Sequence, residues 1–167
     1  MRNYRTYFTG LALALFAATA FAEDKEITIS DGGAAALKLG VPKDAEVTKS
    51  KKGEETTIST KEGKIYIWPV SKSASVNDAL PHVGEVIKSE FTEYVVASTE
   101  DITVAGAKAK HLKGKGAEAD DGDPGSADVV IFEVGKHVFA ACVHGEKDAA
   151  AKQRPTLLSV LKTAKVP

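Results

Sequence analysis

Apolar positions repeat along this chain with two periods, and the switches between them mark its elements. Glu26 to Ser30 (EITIS) alternates apolar and polar residues, the pattern of a short strand. Ala34 to Val41 (AAALKLGV) predicts a second strand, ended by Pro42, and Ala45 to Ser50 a third before the turn KKGEE. Thr56 to Thr60 and Lys64 to Val70 (KIYIWPV) flank Lys61-Glu62-Gly63, which predicts a hairpin with a glycine at its turn. The period then lengthens. Val76, Leu80, Val83, Ile87 and Phe91 fall on one face of an amphipathic helix, with Ser75 or Asn77 as cap and Pro81 confined to its first turns or a bend.

The second half returns to strands. Tyr94 to Ala97 and Ala107 to Leu112 are candidates, and Ala127 to Val134 and His137 to Val143 are nearly unbroken apolar runs. Only Gly135-Lys136 separates these two runs, and a leading glycine suits a type II′ turn. Apolar residues on both faces predict central strands covered on both sides. Glu146 to Lys165 is helical in composition, with Ala150, Leu157, Leu158, Leu161 and Ala164 as its buried stripe and Pro155 splitting it in two. Strands, helix, strands, helix, with hairpins dominating, predict an α+β fold. Its largely antiparallel sheet has helices packed on it, as an α/β/α sandwich.

The first residues change the picture of where this fold works. Arg2 and Arg5 form a positive n-region, Leu11 to Ala20 is a short apolar stretch, and Ala20-Phe21-Ala22 fits a small-x-small cleavage site. Residues 1–22 therefore read as a secretory signal peptide, and 23–167 as one exported domain, periplasmic or secreted, with no membrane span. The whole sequence has 22 basic and 23 acidic residues, a balance of −1. Loss of the leader's two arginines leaves 20 against 23, a balance of −3. No basic excess remains for nucleic acid. A single cysteine allows no internal disulfide, so packing alone holds the fold.

That cysteine, Cys142, lies two residues before His144. On a strand both share a face with Val138 and Ala140, an apolar setting that raises a thiol pKa and predicts an inert side chain. His144, at the strand end, is expected to meet solvent or the following helix. His111 and His82 are available to join Cys142 and His144 as metal ligands, but the chain has no CxxC, HxH or HExxH to assemble a zinc site. Tyr66 and Trp68 share a strand face and read as core packing; exposed, they would be the best binding patch. There is no GxSxG and no Rossmann fingerprint after a strand, so no catalytic or cofactor residue is assigned.

Two polar stretches remain. EADDGDPGSAD (residues 118–128) offers Asp120, Asp121, Asp123 and Asp128 as weak calcium candidates, although Gly125 and Ser126 break the EF-hand pattern and no glutamate closes it. KAKHLKGKG carries Lys108, Lys110, Lys113 and Lys115. They read as a charged edge strand or as a partner-binding surface, and Gly114-Lys115-Gly116 lacks the spacing of a phosphate loop.

From Val76 onward the order of elements resembles the PsbP-like proteins. After the amphipathic helix come ITVAGAKAKHLKGKG, the strand–glycine turn–strand VVIFEVGKHVFAACVHG, and the closing helix of PTLLSVLKTAKV. Upstream, AAALKLGVPKDAEV is similar to that family's early strand and proline bend. The resemblance implies a largely non-catalytic protein: plant members bind photosystem II in the thylakoid lumen, a nuclear relative binds a small GTPase, and bacterial members are often exported. It carries no functional residue across. The expectation is an exported, non-catalytic partner-binding or accessory protein of the cell envelope; the alternative is an exported binder of a small molecule or calcium.

Overall fold

The computed structural model describes residues 24–51, 54–119 and 122–167. Residues 1–23, which include the segment read as a leader, and Lys52, Gly53, Asp120 and Asp121 lie outside these residues. The chain runs β1 (Asp24–Asp31), β2 (Ala34–Pro42), β3 (Glu46–Lys49), β4 (Thr56–Ser59), β5 (Lys64–Pro69), α1 (Val76–Glu90), β6 (Phe91–Val104), β7 (Ala107–Glu118), β8 (Pro124–Val134), β9 (His137–Glu146) and α2 (Ala149–Lys162).

Among the described residues, seven strands form an antiparallel sheet in the order β3-β4-β5-β9-β8-β7-β6, and β1 pairs with β2 as a separate ribbon. The helices take opposite faces. Val76, Ala79, Val83 and Ile87 of α1 pack on Leu112, Ala127, Val129, Ile131, Ala140 and Cys142. On the other face Leu157, Val160 and Leu161 of α2, with Leu37 and Leu39 of β2, cover Val130, Phe132, Phe139, Ala141 and Val143. This is the α+β arrangement that the alternating periods predict, with β8 and β9 buried on both sides. Gly135 takes a positive φ of 61° while Lys136 does not, as a type II′ hairpin requires. Among the described residues no helix is long and apolar enough to cross a bilayer.

Capping fixes where α1 starts. The Ser75 hydroxyl accepts a hydrogen bond from the Asp78 amide, and the Glu133 carboxylate of β8 accepts one from the Val76 amide at 3.0 Å. Negative charge is thus held at the positive end of the helix dipole. The ribbon is tied to the sheet at Asp31, which accepts hydrogen bonds from Ser71 Oγ at 2.7 Å and His137 Nδ1 at 2.8 Å. A β-bridge between Lys38 and Lys165 joins β2 to the segment after α2.

Four sequence expectations are corrected. Phe91 ends no helical face: it takes extended angles, caps α1 and begins β6, buried at 1 % exposure. Strand β6 runs to Val104, far beyond Ala97, because an edge strand exposes both its polar rows and needs no apolar alternation. β7 is therefore not the edge; it lies between β6 and β8 along its length. Pro155 does not split α2. Its missing N–H costs one hydrogen bond, and the buried side chains of Ala150, Leu157 and Leu161 hold the helix to the sheet on both sides of it.

Candidate functional site

Helix α1 packs chiefly on β6, β7, β8 and β9, and covers the same face of β5 only in part, at Trp68. Alternation along β5 sends Ile65 and Ile67 into the opposite core and turns Tyr66 and Trp68 toward the flank of α1. Both aromatic residues are half-buried. They are neither the sealed core that their shared face suggests nor a fully exposed patch. They form the floor of a recess.

β9 supplies the second wall. Tyr66 is in register with Cys142, so His144, two residues on, is its diagonal neighbour on the same face. The Tyr66 and His144 rings stack with centroids 4.9 Å apart and planes at 22°. Phe91 meets the imidazole edge-on at 5.8 Å. The expectation that His144 meets solvent or the following helix is thus corrected: β9 continues to Glu146, and strand alternation carries the imidazole to the face opposite α2. Tyr66, Trp68, His144, Ile87, Glu55 and Glu90 enclose a cavity of about 160 Å³, with Cys142 at its back. It opens into a groove of about 520 Å³ along Trp68, Pro69 and Val86, bordered by Glu54, Glu55 and Lys51.

The electrostatics of this recess are one-sided. Burial holds His144 below the ordinary imidazole range, against the pull of Glu90. Burial raises the Tyr66 hydroxyl, and Glu55 and Glu90 add to the rise. The Cys142 thiol is pushed far up by burial, then by Asp128 and Glu90. It is 2 % exposed and protonated at neutral pH, the inert side chain its strand context predicts. Cys142 and His144 share a wall without forming a thiolate–imidazolium pair.

Of the calcium candidates, Asp123 and Asp128 are among the described residues. Asp128 leaves the loop for β8, where it is buried among His111 and Arg154. His111 Nε2 donates to its Oδ2 at 3.1 Å; Arg154 donates from Nε to Oδ2 and from Nη2 to Oδ1 at 3.2 Å. Burial alone would raise this carboxyl, but the donated hydrogen bonds outweigh it and hold Asp128 below its ordinary range. A carboxylate so occupied is a structural ion pair and not a free ligand. Asp123 stays in the loop, its carbonyl accepting from the Glu118 amide, while Asp120 and Asp121 lie outside the described residues. Among the described residues no three His, Cys, Asp or Glu side chains converge as a metal site.

The four lysines are divided by the strand they share. Lys108 and Lys110 point to the α1 side and border a cavity with Ser75, Asn77 and Glu133, whereas Lys113 and Lys115 point to the α2 side. Lys110 pairs with Asp101 and Lys113 with Glu100, each at 2.7 Å. The glycines between them have a packing role. A Cβ on Gly114 would lie 2.3 Å from the Tyr94 ring, and one on Gly125 of β8 would lie 2.6 Å from Phe91. These positions are the floor on which the aromatic side chains of β6 rest.

The described residues have the fold of the PsbP-like proteins. The solution structure of cyanobacterial PsbP (CyanoP) from Synechocystis matches with a TM-score of 0.59 at 9% identity, over 89% of this chain and 95% of that one. LpqN, involved in cell envelope biogenesis of Mycobacterium tuberculosis, matches at 0.55 with 14% identity, over 87% of this chain and 91% of that one. A protein from Bacteroides thetaiotaomicron matches at 0.54 with 16% identity, over 86% of this chain; the chain spans about half of that protein, 48%. At such identities the likeness is one of fold. No protein-family model matches the chain, and no curated protein matches it in sequence.

Proposed function

We propose that this is an exported, non-catalytic accessory protein of the cell envelope that acts by binding, and that the groove between α1 and β5 is its working surface. The observation that carries this reading is the pair Tyr66 and Trp68, left only part-buried beside a helix that packs on the rest of that face. Large aromatic side chains kept at a surface are characteristic of binding sites, where one ring supplies much contact area at low entropic cost. The fold shared with LpqN, involved in cell envelope biogenesis in its own organism, supports the envelope setting. The leader ending at Ala22 supports export, with residues 23–167 as the working domain. The protonated Cys142 thiol and the engaged Asp128 carboxylate support a binding role over a catalytic one.

The test is a cross-linked capture in the native host, with the full chain tagged at its C-terminus. Mass spectrometry of the tagged protein should find a mature chain beginning at Glu23. The same envelope protein should be captured by the wild type and by Lys108→Glu/Lys110→Glu, and lost with Trp68→Ala. Capture indifferent to Trp68→Ala would remove the groove as the working surface. An unprocessed leader would end the exported reading.

A further inference from the structure

We infer that the cavity between α1, β5 and β9 binds a small organic cation of the quaternary or tertiary ammonium class. This rests on the groove being a binding surface and names the chemistry it selects. Tyr66, Trp68 and His144 present aromatic rings to the cavity, and the electron-rich face of such rings attracts a cation that has little hydration to lose. Glu55 and Glu90 line the same cavity, and among the described residues no lysine or arginine does. Among the described residues neither carboxylate is held in an ion pair. Lys51 stands only at the wider outer groove, beside Glu54 and Glu55.

Each alternative occupant meets a specific obstacle. An anion would face two carboxylates with no basic partner among the described residues. A metal ion would need a third ligand, and none converges here among the described residues. A neutral apolar molecule would gain the aromatic contact and leave the carboxylates unused. An alkylated ammonium uses both, and a cavity of about 160 Å³ holds only a small head group. The neutral imidazole of His144 serves as a further wall and does not compete as a cation, since burial holds its pKa down.

The probes are choline and 3,3-dimethylbutan-1-ol, which has choline's shape without its charge. Trp68 is the chain's only tryptophan, so its emission reports directly on the cavity. Choline should change that emission saturably, with the neutral isostere about tenfold weaker. Glu90→Gln, at an exposed position, should weaken choline several-fold and leave the isostere unchanged. Phosphatidylcholine vesicles form a second arm. Co-sedimentation reversed by choline assigns a lipid head group as the source, and choline binding without co-sedimentation assigns a free solute. Equal responses to choline and isostere, or no response from a protein with unaltered thermal unfolding, would overturn the cation site. Partner capture lost in Trp68→Ala would then still stand, whereas choline binding alongside capture that ignores Trp68→Ala would sink only the partner reading.

Discussion

The Tyr66 and His144 rings stack at 4.9 Å across two neighbouring strands whose residues lie far apart in sequence. The contact places a titratable ring against an aromatic wall, where its charged form is disfavoured. The folded-state pKa of His144 lies below the unfolded value near 6.5. Between the two values the unfolded chain binds more protons, so this group's contribution is full above about pH 6.5 and is lost as pH falls through the folded value. Urea unfolding midpoints at pH 7.5 and 5.5 should differ more for the wild type than for His144→Phe, and the imidazole should titrate below 6.5 by NMR. A His144 midpoint above 6.5 would contradict the burial described.

Asp128 gives a second pH dependence at lower values. Its carboxyl is 4 % exposed and ionised, accepting from His111 and Arg154. Its pKa is held below 3.8, so its stabilisation is present above that value and lost as pH falls through the folded one. Asp128→Ala leaves the buried His111 and the part-buried Arg154 without an acceptor and should cost about 3 kcal/mol, read as a lower urea midpoint. A cost below about 1 kcal/mol would mean water replaces the carboxylate.

Gly114→Ala should be destabilising by about 1–3 kcal/mol, since the new methyl group overlaps the Tyr94 ring and overpacking strains a close-packed contact. Combination with Tyr94→Ala should recover much of the loss, because the overlapping atoms are removed. Additive losses in the double variant would place the strain elsewhere.

Cys142 should resist thiol reagents in the native state. Its reaction with a disulfide reagent at pH 8 should run at the rate of protein opening, and rise to that of a free thiol only in denaturant. Rapid native labelling would show that the back of the cavity is open to solvent.

Much of this fold is legible in the residues. The 3.6-residue spacing from Val76 to Ile87 marks α1, and the two runs around Gly135-Lys136 mark the buried hairpin at the centre of the sheet. β6 is hidden because an edge strand carries STED without an apolar row, and that concealment makes β7 look like the edge. The site is half legible. Strand parity places Tyr66 with Trp68 and Cys142 with His144 on common faces. What parity cannot show is that β5 lies against β9, a non-local pairing that turns two unremarkable pairs into one recess. Arg154 is hidden for the same reason: nothing local on a helix announces a buried carboxylate in a strand.

Thr163 has a consequence for the order in which the molecule assembles. Its hydroxyl accepts from the Gly40 amide at 2.7 Å, a contact between residues 123 apart, and Lys38 bridges to Lys165 beside it. The ribbon is synthesised before its anchor at the C-cap of α2, 123 residues later. A growing chain therefore cannot lock β2 in place until Thr163 has been made. Closure of so large a loop is slow. An unlatched chain of this kind is still threadable, which is the state in which a polypeptide passes through a narrow protein pore.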